Sequence, residues 1–326
     1  MRPRTRSQSG HLGGIVIFTH TDCFGGCLPS RSRWSFLNEG NGYLFVHREN
    51  LFTGREKRLT GHLWLGETQP RGSVLVIHGL GDYAARFEPL ANALASSHLA
   101  VMAFDLPGHG NSPGGRGRAD SFDGLLEDIQ AARSTLTERF PGTPQFLLGH
   151  SMGGNLALNY ALRAALNRES KLPNGLILCA PMLLPPTPPR RSHIFAAWLT
   201  GHLFPWIRVD RPVDPMDLTS DPAEIDQIRE DELMHSQITI YLATQLLSQG
   251  RWALDHARQL KMPTLVLLGD EDPLIDRSAC ENLPIRLGDQ AKLVSYRGMR
   301  HDLFHDHRTA EVLSEIADWT TSIAER

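Results

Sequence analysis

The sequence predicts an α/β fold in which a mostly parallel sheet carries helices on both faces and a helical insertion interrupts the alternation late in the chain. Three observations lead there. Short continuous apolar runs at residues 73–77, 100–104, 146–148, 175–179 and 264–268 alternate with helical patterns, as expected of parallel strands covered on both sides. Several of these runs end in loops rich in Gly, His and Asp. One of them passes through Gly149-His150-Ser151-Met152-Gly153 into Leu156, Ala157, Leu158, Tyr160, Ala161 and Leu162 at helical spacing. That is a strand, a sharp turn and a helix, with glycines two before and two after the serine to allow close approach.

Taken in order, residues 1–33 differ from the rest. Arg2, Arg4, Arg6, Arg31 and Arg33 stand against Asp22, and the one apolar patch, 15–18, is too short for a signal-peptide core or a membrane span. A disordered extension, or a start codon placed too early, is expected there, with the folded domain at 34–326. Segments 42–48 and 58–65 alternate roughly and predict an antiparallel edge pair. The strand at 73–77 ends in His78-Gly79-Leu80-Gly81-Asp82, a helix follows at 86–97, and the strand at 100–104 ends in Asp105-Leu106-Pro107-Gly108-His109-Gly110. A helix at 121–140, the serine turn and the strand at 175–179 continue the rhythm. It breaks at 182–258, which opens on prolines and carries Trp198, Leu199, Phe204 and Trp206. Apolar residues on an insertion without a sheet need a surface to cover, so the segment is expected to form a cap over the carboxyl edge of the sheet, where open α/β folds bind ligands. Strands at 264–268 and 292–296, the seventh and eighth, and a helix at 309–323 close the chain.

Composition narrows the chemistry. A 326-residue chain with 41% hydrophobic residues can bury a large core, and a formal charge of −3 with scattered basic residues gives no reason to expect nucleic acid. Cys23 and Cys27 match no common zinc spacing, Cys179 and Cys280 stand apart, and the 15 histidines form no ligand motif. A reducing, cytoplasmic setting without metal or cofactor is expected; oligomeric state is not indicated.

A serine hydroxyl needs a base to take its proton, and the base needs an acid to fix its tautomer and stabilise the imidazolium. After Ser151 the chain offers carboxylates following one strand (Asp270, Glu271, Asp272, Asp276) and histidines following the next (His301, His305, His307). The order serine, acid, histidine is that of the α/β-hydrolase arrangement. Asp272, ahead of Asp270, is the expected acid, and His301, nearest its strand end, the expected base. Met152, following the nucleophile, and Leu80, in the loop after an early strand, are placed to give backbone N–H donors to an oxyanion. His78 and His150 are expected to brace loops.

With these residues assembled, the chain resembles the monoacylglycerol lipase and lysophospholipase branch of the α/β-hydrolases, also described with the serine aminopeptidase type. The carriers are His78-Gly79-Leu80-Gly81-Asp82 with Arg86-Phe87-Glu88, Asp105 to Ser112, Leu147 to Gly154, Gly269-Asp270-Glu271-Asp272 and His301-Asp302-Leu303. The resemblance supports Asp272 and His301 as the acid and base and implies a membrane-facing cap leading to an acyl tunnel. Where family members orient a glycerol headgroup with polar side chains, Ile228 and Phe304 stand here, while Asp82 keeps an acidic group in the first loop; Trp198 and Phe204 are the expected apolar contacts of the cap. The expected function is hydrolysis of single-chain lipid esters through an acyl-enzyme on Ser151, with possible peripheral membrane contact. A short-chain esterase, thioesterase or peptidase is the alternative, and an inert ligand binder the remote one.

Overall fold

The computed structural model describes residues 34–38, 43–53, 58–169 and 171–325. The expectations for residues 1–33, including Cys23 and Cys27, lie outside the described residues. Nine strands form one sheet in the order β1 (Trp34–Asn38), β2 (Tyr43–Thr53), β3 (Arg58–Leu65), β5 (Leu99–Phe104), β4 (Gly72–Ile77), β6 (Gln145–His150), β7 (Gly175–Cys179), β10 (Thr264–Gly269) and β11 (Ala291–Tyr296). From β5 to β11 every pairing is parallel; β1, β2 and β3 extend the sheet in antiparallel fashion. The eight strands expected are all present. The ninth, β1, is only five residues long and borders the Arg- and Ser-rich opening stretch, so it offers too little alternation to stand out.

The inner strands are buried along their whole length, β4, β5, β6, β7 and β10 without exception. Their side chains divide between two cores with the period of two that a pleated strand imposes. Leu75, Ile77, Met102, Leu147, Leu176, Leu178 and Val266 join one cluster, which includes residues of α2 (Phe122–Arg139), α3 (Met152–Leu166) and α7 (Ile240–His256). Val74, Val76, Val101, Phe146, Leu148, Ile177 and Leu265 join the other, with residues of α1 (Glu88–Ser96) and α10 (Thr309–Ala324). Each such aliphatic or aromatic side chain contributes about 1.5–3 kcal/mol on burial. This explains why continuous apolar runs, rather than alternating ones, mark these strands.

The topology also fixes where a ligand belongs. From β4 the chain crosses to β5 on one side and returns to β6 on the other. The crevice outside the carboxyl ends of β4 and β6 is therefore a topological switch point, the usual binding location in open α/β sheets. The loop containing Leu80 leaves β4 there, and Ser151 follows β6.

Between β7 and β10 the chain leaves the sheet to form α4 (Arg191–Leu203), β8 (Arg208–Asp210), α5 (Pro215–Leu218), α6 (Pro222–Glu230), β9 (Gln237–Thr239) and α7, with β8 and β9 paired antiparallel. This segment is bonded to loops at the carboxyl edge. The N–H groups of His235 and Thr239 donate to the carbonyls of Gly81 and Gly117 at 3.1 and 2.9 Å, and Asp302 N–H donates to Leu218 O at 2.8 Å. Gly81 is required at its position: with φ +74°, a Cβ there would lie 1.7 Å from the His235 carbonyl oxygen.

Candidate active site

Ser151 caps α3 with φ 53° and ψ −117°, a backbone conformation costly for a residue with a side chain. Its surroundings hold it there. Ser151 N–H donates to Cys179 O at 3.0 Å, while its own carbonyl accepts from Gly154, Asn155 and Met182 at 3.0, 3.2 and 3.0 Å. The flanking glycines are steric necessities: a Cβ at Gly149 would stand 2.3 Å from Gly153 O, and one at Gly153 would stand 2.1 Å from Ile77 O. Residues 152–162 of α3 are all buried, whereas Ser151 keeps partial solvent access. The helix N-terminus behind it favours developing negative charge.

The loops after β10 and β11 bring an acid and an imidazole together. His301 Nδ1 lies 2.7 Å from Asp272 Oδ2, and both side chains are almost wholly buried. With Nδ1–H donating to the carboxylate, Nε2 is left as the basic nitrogen. Burial works against the His301 imidazolium, but the Asp272 charge and hydrogen bond, then Asp302 and Asp82, outweigh it and raise the pKa. Burial likewise opposes the Asp272 carboxylate, yet His301 and the Leu274 N–H hold its pKa below the ordinary value. The competing groups have other work. Asp270 Oδ1 accepts Gly298 N–H at 2.6 Å, Asp276 caps α8 (Arg277–Glu281), His305 pairs with Asp302, and His307 pairs with Asp306.

The histidine before the nucleophile and the one after β4 are bracing groups. His150 Nε2 lies 3.2 Å from His301 O, which ties the end of β6 to the histidine loop. His78 Nδ1 donates to Gly79 O at 2.7 Å, and its Nε2 accepts Leu106 N–H at 2.9 Å. Met152 follows the serine as the first residue of α3 and is buried. Leu80 is half-buried in the loop after β4, where a Cβ on the neighbouring Gly79 would be 3.2 Å from Ser151 Cβ.

Two of the expected substrate contacts, Phe304 and Asp82, are engaged within the fold. Phe304 is only 2% exposed and packs edge-on against Phe87 and His150, with ring centroids 5.4 and 5.9 Å apart. It belongs to the core because the turn after His301 directs it beneath the histidine loop. Asp82 is committed to an ion pair, its Oδ1 lying 3.1 Å from Arg86 Nε, so it is part of a buried charge cluster rather than an open headgroup contact. Ile228 is the single buried residue of α6, 9% exposed, and Trp198 and Phe204 are each 45% exposed on α4 and at its end. The sequence assigns no role to Arg86 or Asp302, and offers His305 only as a competing base. The spacings Asp82-x-x-x-Arg86 and Asp302-x-x-His305 are the local signals of this cluster; nothing local links Arg86 to Asp302.

A strained serine at a switch point, with a buried acid–imidazole pair beyond the ends of β10 and β11, defines a hydrolase of the α/β-hydrolase fold. The chain belongs to the serine aminopeptidase S33 family, whose model matches residues 68–308. Among curated proteins it is 30% identical to a monoglyceride lipase of Rattus norvegicus over 79% of this chain and 85% of that one. It is 29% identical to an uncharacterized abhydrolase domain-containing protein of Dictyostelium discoideum over 83% of this chain, which spans only 28% of that longer protein. Among solved structures, a monoacylglycerol lipase of Paleococcus ferrophilus superposes with a TM-score of 0.73 at 28% identity, covering 81% of this chain and 99% of that one. These relatives place the chain among carboxylic ester hydrolases of the monoacylglycerol lipase branch.

Proposed function

We propose that the protein hydrolyses carboxylic esters of single-chain lipids, with Ser151 as nucleophile, His301 as general base and acid, and Asp272 as its orienting carboxylate. The observation that carries this reading is the 2.7 Å pair between His301 Nδ1 and Asp272 Oδ2, at the same carboxyl edge of the sheet as an elbow in which Ser151 keeps partial solvent access. Ser151 Oγ attacks the ester carbonyl carbon as His301 Nε2 takes its proton. The carbonyl oxygen becomes an oxyanion that accepts from the N–H groups of Met152 and Leu80. Collapse breaks the bond to the alcohol, which leaves with the proton from His301. Water, deprotonated by the same imidazole, then attacks the acyl-enzyme; the bond to Ser151 Oγ breaks, Oγ takes back the proton from His301, and the fatty acid is released.

The lipid character of the substrate rests on the names of the relatives and on segment 182–258, read as a cap. Its bonds to the loops after β4, β5 and β11 support that reading, as does the apolar outer surface of α4. That surface also supports reversible contact with a lipid interface; among the described residues no helix is long and apolar enough to cross a membrane. A panel of monoacylglycerol, lysophospholipid and simple esters sharing one acyl chain, extended over acyl length, tests the assignment. Higher kcat/KM for medium and long chains than for acetate is expected. A preference for acetate contradicts the lipid reading.

A further inference from the structure

Beside the proposed base lies a buried charge cluster that the reaction scheme leaves unused. Asp302, the residue after His301, is 5% exposed. Its Oδ2 accepts from Arg86 Nη2 at 2.8 Å, and His305 Nδ1 approaches Oδ2 and Oδ1 at 2.9 and 3.0 Å. Phe304 N–H donates to Oδ1 at 3.2 Å, and Asp302 N–H donates to Leu218 O at 2.8 Å. Arg86 belongs to the 3₁₀ turn Ala84–Phe87, only a few residues beyond Leu80. It also pairs with Asp82 and places Nη1 3.3 Å from Met234 Sδ. The loop after β4, the histidine loop and two stretches of the insertion thus meet on two buried carboxylates and one guanidinium.

We propose that Asp302 is a positioning residue for His301: through Arg86 it fastens the histidine loop to the loop that carries the Leu80 oxyanion donor, and its charge stands beside the base. This inference rests on the serine-hydrolase reading above. The geometry favours it over simple packing. A buried ion pair is a poor source of net stability compared with apolar side chains of the same volume. Here it joins the two loops that must hold base and oxyanion donor in register, where a misplacement of an ångström is costly to turnover.

The ionisable groups acting on His301 are Asp272 from the loop after β10, Asp302 on its own loop, Asp82 from the loop after β4 and His150 at the end of β6; Arg86 and His305 contact Asp302. Asp272, Asp302 and Asp82 favour the imidazolium. Removing the Asp302 charge therefore lowers the His301 pKa, and the acid limb of kcat/KM moves to lower pH.

The test uses the full chain and a monoacylglycerol substrate. Asp302→Asn is expected to reduce kcat about tenfold with little change in KM and to move the acid limb to lower pH. Arg86→Lys keeps the charge but loses the planar fork; it is expected to reduce kcat about tenfold as well, with the acid limb in place. It also stands as the test should Asp302→Asn fail to fold. A folded Asp302→Asn enzyme with either the wild-type kcat or the wild-type acid limb overturns the proposal, as does a folded Arg86→Lys enzyme with the wild-type kcat. A wild-type enzyme inert toward every ester overturns the serine-hydrolase reading, and this inference with it.

Discussion

His301 sits where burial and charge oppose each other, and the outcome sets its pH behaviour. Desolvation disfavours the imidazolium, but Asp272 and its hydrogen bond, with Asp302 and Asp82, raise the pKa above 6.5. General-base catalysis needs the neutral ring, so kcat/KM is expected to fall as pH drops through that raised value. The contribution to folding has the opposite sense. The raised His301 pKa gives stability that is fully present below 6.5 and is lost as pH rises through the folded value, whereas the lowered Asp272 pKa gives stability present above 3.8 and lost as pH falls through its folded value. The loop after β10 holds the two candidate acids, and their contacts separate them. Asp272→Asn is expected to lower kcat about 10⁴-fold by favouring the wrong imidazole tautomer, while Asp270→Asn, whose carboxylate serves Gly298 N–H, retains the wild-type kcat. Equal losses in an ester assay would contradict this division. The buried Asp272–His301 pair could be anticipated from the chain because each member follows a strand end. The Arg86–Asp302 pair was not, because its partners are 216 residues apart and no local pattern links them.

At the scale of elements, α4 is the part of the structure least explained by folding. Gly201 is its only buried residue, and a Cβ there would lie 2.9 Å from Tyr241 Cα, so the helix rests closely on α7 through a residue without a side chain. Phe195, Trp198, Leu199 and Leu203 are left exposed, as are Phe204 and Trp206 beyond its end. Phe195 stacks on Trp198 and Phe204 meets Trp206 edge-on, which gives paired aromatic surfaces rather than scattered residues. Replacing Trp198, Phe204 and Trp206 together by Ser is expected to weaken cosedimentation with phosphatidylcholine vesicles at least about tenfold, since each aromatic ring carries about 1.5–3 kcal/mol of burial energy. Equal partitioning of the two proteins would refute the lipid-contact role. Sequence composition located this apolar stretch. It did not separate Phe304, equally apolar, which the turn after His301 sends into the core.

For the whole molecule, five of the six parallel strands were evident because burial on both faces leaves continuous apolar runs, while the edge strand β11 is mostly exposed or half-buried; the helices were evident from apolar residues recurring at helical spacing. The short β1, by contrast, lies at the antiparallel edge. The fold then needs few further instructions to build the site, since the switch point at β4 and β6 and the strand ends of β10 and β11 deliver the serine, acid and base to one edge. Ser151 at this edge is the proposed nucleophile. Reaction of the folded protein with a fluorophosphonate probe, read by intact-mass and peptide mass spectrometry, tests it most directly. One adduct per chain on Ser151, abolished in Ser151→Ala, is the expected result; a folded wild-type chain that takes up no probe, or a Ser151→Ala variant labelled as fully as wild type, contradicts the assignment.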